Sequence, residues 1–259
     1  MILVFDVGNT ETTVGLFDGD ALRGHWRLTT DANRTPDEIA LVIRGLLVAS
    51  DIDRKAIDRA AIGSVVPALT GPLAEACEQA VGAKPLIIDA RSPLPITLDV
   101  EEPLTVGADR IINTLAASRL YKRDTIVVDL GTATTYDCIT ADGVFIGGVI
   151  APGVRTSAET LFRRTSKLPA TEIVPPAKVI GRRTEECIRS GVVLGSAEAI
   201  DGLVRRIKGE WPGTAVPLVV ATGGLATVFQ PFCKELDLIE PHLTLNGLRI
   251  AHELVAAAS

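Results

Sequence analysis

The four cysteines, Cys77, Cys138, Cys187 and Cys233, lie far apart and form no Cys-x-x-Cys pair. No zinc-ligand spacing appears, and a chain of 259 residues gives no reason to propose a disulfide frame, so four reduced thiols are expected. Histidine is sparse. His25, His242 and His252 are isolated, and no Ser-His-Asp or Cys-His arrangement can be argued. No lysine- or arginine-rich run occurs and the formal net charge is −6, which argues against nucleic acid as a partner. The short pairs Arg163-Arg164 and Arg182-Arg183 read as solvated faces or substrate-side contacts. No apolar run is long enough to span a bilayer without charge, and the strand at residues 2–5 has no basic leader before it. No membrane association and a cytoplasmic location are therefore expected. Walker A and dinucleotide-fingerprint spacings are both absent.

What is present is an ordinary globular composition, 47% hydrophobic and 22% charged. A chain of this size buries roughly three quarters of the surface its unfolded form exposes, as one large domain or two modest ones. An internal repetition favours two. Residues 2–5 (ILVF) form an apolar strand leading into Asp6-Val7-Gly8-Asn9-Thr10, followed by a strand, Asp18-Gly19 and a third strand through residues 23–29. Residues 125–128 (TIVV) lead likewise into Asp129-Leu130-Gly131-Thr132, a strand, Asp142-Gly143 and another strand through residues 144–150. Asp-Gly between apolar runs is a strong hairpin signal, so each copy reads as a three-stranded antiparallel meander. Helical and strand patterns then alternate: a helix over residues 36–48 opened by Thr35 and Pro36, strands at 60–65 and 86–88, and a helix over 108–121. The second half has a long helical pattern over 190–207, a strand at 218–221 and a closing helix over 245–257. The order βββαβαβα in each half predicts an α/β protein of two duplicated lobes, residues 1–118 and 119–259, each a mixed five-stranded sheet with flanking helices.

The first turn of each meander carries Asp-x-Gly chemistry. Glycine lets backbone approach a phosphate, the turn amides and a threonine hydroxyl (Thr10, Thr132) supply donors, and the aspartate can hold a metal ion beside the phosphates. One such turn is an everyday hairpin feature; two in matching contexts favour bound nucleotide phosphates. Gly223-Gly224 follows a buried strand, where α/β proteins bind ligands, although a packing turn is an equal reading. Gly107-Ala108-Asp109-Arg110 opens a helix with an acid and a base: either a proton acceptor beside an anion-binding arginine, or a helix cap with a surface ion pair. The loop of Gly147-Gly148-Val149-Ile150-Ala151-Pro152-Gly153 reads as a substrate loop or a plain turn.

Taken together, DVGNT (6–10), GADR (107–110), DLGTATT (129–135), GGVIAPG (147–153), RTEECIRSGVVLG (183–195) and ATGGLA (221–226) resemble the type III pantothenate kinase family, in its order and over nearly the whole chain. The resemblance implies the acetate/sugar kinase–Hsp70–actin (ribonuclease H-like) fold, a homodimer, and transfer of the ATP γ-phosphoryl group to pantothenate on the way to coenzyme A. It places Asp6, Val7, Gly8, Asn9, Thr10, Glu11, Thr12, Thr13 and Thr132 at ATP. Gly107, Ala108, Asp109, Arg110 and Thr184 fall at pantothenate, with Asp109 as general base. It implies Mg²⁺ with ATP, assisted by Asp6, and K⁺ or NH₄⁺ at Asp129. Val100 stands where the family usually has a pantothenate-contacting tyrosine, and Glu11 adds a negative charge near the expected phosphates. A sugar or other small-molecule kinase of the same superfamily is the nearest rival; the cysteine-rich zinc motif of many sugar kinases is missing here, and GADR favours pantothenate. A non-catalytic ATP-binding regulator of this fold is the rival from another class, and the presence of Asp6, Asp109 and Asp129 together counts against it.

Overall fold

The computed structural model describes residues 1–258. From the N-terminus the chain runs β1 (Ile2–Val7), β2 (Glu11–Asp18), β3 (Ala21–Thr29), α1 (Pro36–Ala49), β4 (Arg59–Ser64), α2 (Pro67–Val81), β5 (Leu86–Ile88), β6 (Thr97–Leu98) and α3 (Ala108–Tyr121). It continues with β7 (Thr125–Leu130), β8 (Ala133–Ile139), β9 (Val144–Pro152), α4 (Val154–Arg164), α5 (Thr184–Arg189), α6 (Gly195–Glu210), β10 (Leu218–Thr222), α7 (Ala226–Phe229), β11 (Leu238–Ile239) and α8 (Leu243–Ala258). Two compact units result, one from residues 1–116 with the chain from Leu243 onward, the other from residues 117–242.

In the first unit the strands run in the order β3-β2-β1-β4-β5, antiparallel from β3 to β1 and parallel from β1 to β5. Successive side chains of β1 leave opposite faces of the sheet. Leu3, Phe5 and Val7 meet Ile39, Ile43 and Leu47 of α1 and Leu69 and Leu73 of α2. Ile2 and Val4 meet Ile112 and Leu115 of α3 and Leu245, Leu248 and Ala251 of α8. A strand covered on both faces cannot alternate with polar residues, which is why residues 2–5 read as an unbroken apolar run. Helix α1 starts where Thr35 and Glu38 cap each other's backbone, with Pro36 at the first helical position.

The second unit repeats the plan. Its five strands run β11-β10-β7-β8-β9, antiparallel from β7 to β9 and parallel from β7 to β11. The matching extends to detail. Both β1 and β7 are fully buried except at the fifth residue, Asp6 or Asp129. Each meander carries a register shift near the end of its second strand, at Leu16/Phe17 and at Cys138/Ile139. Gly19 (φ +58°) and Gly143 (φ +78°) make the two hairpin turns.

Two expectations need adjustment. The closing helix α8 belongs to the first unit rather than the second. The Thr244 hydroxyl donates to the buried Asn113 amide oxygen of α3 at 2.9 Å, and α8 lies against β1 and β4. Periodicity reports that a helix has an apolar face but not which sheet it meets. The helical pattern expected over 190–207 begins earlier, at Thr184, and passes through a turn of π-helix at Ser190–Leu194 before α6. The wider turn shifts the apolar stripe, so the segment does not read as one helix.

Helix α8 comes so close to α3 that a Cβ on Gly247 would lie 2.6 Å from the Ile112 carbonyl oxygen and 2.5 Å from its Cγ2. Backbone cannot step aside as a side-chain tip can. Gly247→Ala is expected to lower stability by about 1–3 kcal/mol, the usual cost of overpacking, read as a drop in the urea midpoint.

Candidate active site

In the first unit, Asp6 is the fifth residue of a central strand, half-buried, with Thr13 opposite on β2 and Gly63 beside it on β4. The turn that follows is closed by the Gly8 amide donating to the Glu11 carbonyl at 3.0 Å, leaving Asn9 and Thr10 exposed at the tip. Thr12 is buried, and its hydroxyl meets that of Thr30 at 2.9 Å. Glu11 does not stand as a bare charge: both its carboxylate oxygens accept from the Arg27 guanidinium, from β3. Thr13 is half-buried on β2.

The Gly107-Ala108-Asp109-Arg110 segment reaches the same end of the sheet. Val65, just beyond β4, donates its amide to the Val7 carbonyl at 3.0 Å, and its Cγ1 would lie 3.4 Å from a Cβ on Gly107. Asp109 therefore opens α3 within a short chain of contacts from Asp6. Its Oδ1 accepts the Arg110 amide at 2.8 Å and would sit 2.5 Å from a Gly107 Cβ, so glycine at 107 makes room for the carboxylate. Burial pushes the Asp109 carboxyl above the usual carboxylate range, against the lowering influence of the Arg110 amide and the Arg110 charge. Val100, half-buried, precedes this segment by seven residues.

The second unit builds its own cluster. Asp129 pairs with Thr135 on β8 and Thr222 on β10. Its turn is one residue tighter than the first, because the Gly131 amide reaches the Ala133 carbonyl at 3.1 Å and only Thr132, exposed, is left at the tip. Two glycines press against it. A Cβ on Gly223 would lie 2.5 Å from Asp129 Oδ1, and Gly223 itself has φ +88°, so both space and backbone require glycine there. A Cβ on Gly153 would lie 2.2 Å from the Thr132 carbonyl oxygen, and the Thr156 hydroxyl donates to that same oxygen at 2.8 Å. The glycine pair after β10 and the glycine loop ending β9, each ambiguous in sequence, thus converge on the Asp129 turn. Thr184 lies outside this cluster, exposed at the first position of α5.

No three His, Cys, Asp or Glu side chains among the described residues gather as a metal site. A divalent ion here would be held by one or two carboxylates together with substrate phosphates, the usual arrangement for Mg²⁺. Asp6, half-buried beside a glycine turn with exposed tip residues, fits that pattern. Asp129, walled by Gly223, fits a single cation with few protein ligands.

The family profile of type III pantothenate kinases matches residues 2–206. The chain belongs to the type III pantothenate kinase family. It is 45% identical over 254 residues to a type III pantothenate kinase of Roseiflexus castenholzii, an alignment covering 98% of this chain and 99% of that one. Among solved structures it is similar to a Campylobacter jejuni protein assigned to the Baf family of transcriptional activators, with TM-score 0.60, 17% identity, and 98% and 99% of the two chains covered. It is also similar to a ROK hexokinase of Thermus thermophilus, with TM-score 0.50, 14% identity, and 100% and 99% covered. At such identities those likenesses speak to fold alone: two α/β lobes of the actin-like kind.

The raised carboxyl of Asp109 has a consequence for stability. Relative to the unfolded chain, the folded state favours the protonated acid. The group's stabilising contribution is full below the ordinary value near ~3.9 and is lost as pH rises through the raised one. Asp109→Asn, permanently neutral and still able to accept from Arg110, should escape that loss. The melting temperature of the variant minus that of the native protein is expected to be greater at pH 8 than at pH 4.5. An invariant difference would mean that the carboxyl is not perturbed.

Proposed function

We propose that this chain transfers the γ-phosphoryl group of ATP to the hydroxyl of pantothenate, giving 4′-phosphopantothenate, the first step towards coenzyme A. Besides family membership, the observation that carries the reading is the Asp109 carboxyl. It is half-buried and held above the usual carboxylate range by desolvation, opens a helix beside an arginine, and sits at the same sheet end as the glycine turn proposed to hold phosphates.

In this reading Asp6, Val7, Gly8, Asn9, Thr10, Glu11, Thr12 and Thr13 form the strand end and turn that meet the ATP phosphates, and Thr132 contacts ATP from the second turn. Gly107, Ala108, Asp109 and Arg110 meet pantothenate, with Arg110 available to its carboxylate and Val100 and Thr184 completing the substrate contacts. Asp109 accepts the hydroxyl proton, the freed oxygen forms its bond to the γ-phosphorus, and the bond from that phosphorus to ADP breaks. The protein does little covalent work beyond this; its turns position the phosphates and its amides neutralise developing charge. Bound Mg²⁺, assisted by Asp6, and K⁺ or NH₄⁺ at Asp129 would supply further positive charge to the phosphates. An assay of pantothenate phosphorylation with and without potassium tests the function directly: no product in either condition rejects it.

A homodimer is part of the proposal. Helix α4 buries only Val154 and exposes Leu161 and Phe162, while Ile150, Val179 and Ile180 of the same unit are also exposed. Large apolar side chains on a helix with so little of its own core are what a second copy would cover, over at least ~1,000 Å² for a stable contact.

Three outcomes are expected. Asp109→Asn should lower kcat by about 10²–10⁴-fold with ATP affinity little changed; near-native turnover rejects it as base. Asp129→Ala should abolish stimulation by potassium, and a native enzyme equally active without potassium rejects that assignment. In the proposed dimer Thr184 of one subunit reaches residues 107–110 of the other, as the family resemblance implies, so co-expressed Asp109→Asn and Thr184→Ala chains should recover part of the activity each lacks alone, because a mixed dimer rebuilds one intact site. Failure in verified heterodimers would place both residues in one chain's site.

A further inference from the structure

Thr30, the residue after β3, touches the first turn at three points. Its amide donates to the Thr10 carbonyl at 3.0 Å, its hydroxyl donates to the Gly8 carbonyl at 2.7 Å, and the Thr12 hydroxyl meets its own at 2.9 Å. With the Thr30 proton committed to Gly8, the Thr12 hydroxyl is the donor in the last contact. Thr30 is half-buried, and nothing in its chain position distinguishes it from any polar residue that ends a strand.

We propose that Thr30 is the positioning residue of the phosphate turn: it fixes the Gly8–Asn9 peptide so that the Asn9 amide points outward, at the nucleotide. The argument is geometric. A peptide unit is planar and trans, so its carbonyl and its amide hydrogen point in opposite directions. Holding the Gly8 carbonyl against Thr30 therefore turns the Asn9 N–H away from Thr30. Without that bond the orientation of the peptide is left to the flanking Gly8-to-Glu11 and Thr30-to-Thr10 backbone bonds, and glycine at 8 permits it to rotate. An amide aimed before the ligand arrives costs no reorganisation on binding, which is what phosphate recognition by backbone requires. The second unit shows a related contact rather than a repeat of this one: the Thr156 hydroxyl, from the first turn of α4, donates to the Thr132 carbonyl at 2.8 Å, one residue further along its turn than the carbonyl that Thr30 holds.

The proposal rests on the reading of residues 6–13 as the nucleotide-phosphate site, and the experiment separates the two. Thr30→Val keeps the shape and removes the hydroxyl; Thr30→Ser keeps the hydroxyl. Loss of one neutral hydrogen bond should raise KM for ATP about tenfold in Thr30→Val. KM for pantothenate should stay near native, and Thr30→Ser should restore the native ATP value. The dissociation constant of Mg·ADP, measured by calorimetry without turnover, should follow KM for ATP. Should the valine variant fail to fold, Thr30→Ala is read in the same way. A lowered melting temperature with unchanged ATP and ADP affinity makes Thr30 a purely structural residue and overturns the proposal, as does a serine variant no better than the valine. Asp6→Asn is the control. If it weakens Mg·ADP binding while Thr30→Val does not, only the role of Thr30 falls; if neither weakens it, the phosphate reading of the turn falls as well.

Discussion

A half-buried carboxylate near the end of an otherwise buried central strand is the constraint from which the rest of the structure follows. Asp6 and Asp129 each occupy the fifth position of a six-residue strand whose other inner residues are wholly buried. Aspartate is disfavoured in strands and costly to enclose. Both chains of residues leading from it are therefore short, glycine-bearing turns that open the strand end, and both neighbouring strands contribute small or hydroxylic partners, Thr13 and Gly63 or Thr135 and Thr222. Local propensity is broken twice at equivalent places, which is what a functional requirement looks like when the surrounding sheet is otherwise regular.

The duplication is not complete, and the differences divide the labour. The first turn is one residue longer and presents two exposed residues, Asn9 and Thr10, whereas the second presents Thr132 alone and is pressed by Gly153 and Gly223. A longer tip offers more backbone donors to a polyphosphate. A tighter, walled one suits an aspartate holding a single cation, with little freedom to move. The proposed assignments of phosphate contact to the first turn and monovalent cation to the second rest on the family resemblance, and the difference in shape is compatible with them.

Much of this was legible in the sequence because the signals were local. The two meanders, their Asp-Gly hairpins and the α1 cap are written within a few residues each. The strand order follows once the repetition is seen. What was illegible depended on contacts across the chain. The sheet that α8 covers is decided by Asn113 and Ile112, more than 100 residues away. The service of Gly153 and Gly223 to the Asp129 turn appears only when β9 and β10 flank β7 and β8. Thr30 carries no motif, and its three contacts arise from where β3 happens to end. Helix α2 was equally hard to read, since Gly71 and Pro72 argue against a helix that its buried face, Leu69, Leu73 and Cys77, nevertheless holds.

Glu11 shows how a departure from the expected pattern is accommodated. A carboxylate beside a polyphosphate turn would repel the ligand through a short, poorly screened distance. Here Arg27, two residues along the facing strand from the Glu11 partner Thr29, reaches it diagonally, and the pair presents no net charge. The hydrogen bonds that Arg27 donates to Glu11 raise the pKa of its guanidinium still further, so the cation persists at any working pH. Both side chains are partly exposed, and such a pair adds little to stability. Its contribution is instead local: with Glu11 paired to Arg27, its carboxylate does not stand as a bare charge beside the turn proposed to meet an anion.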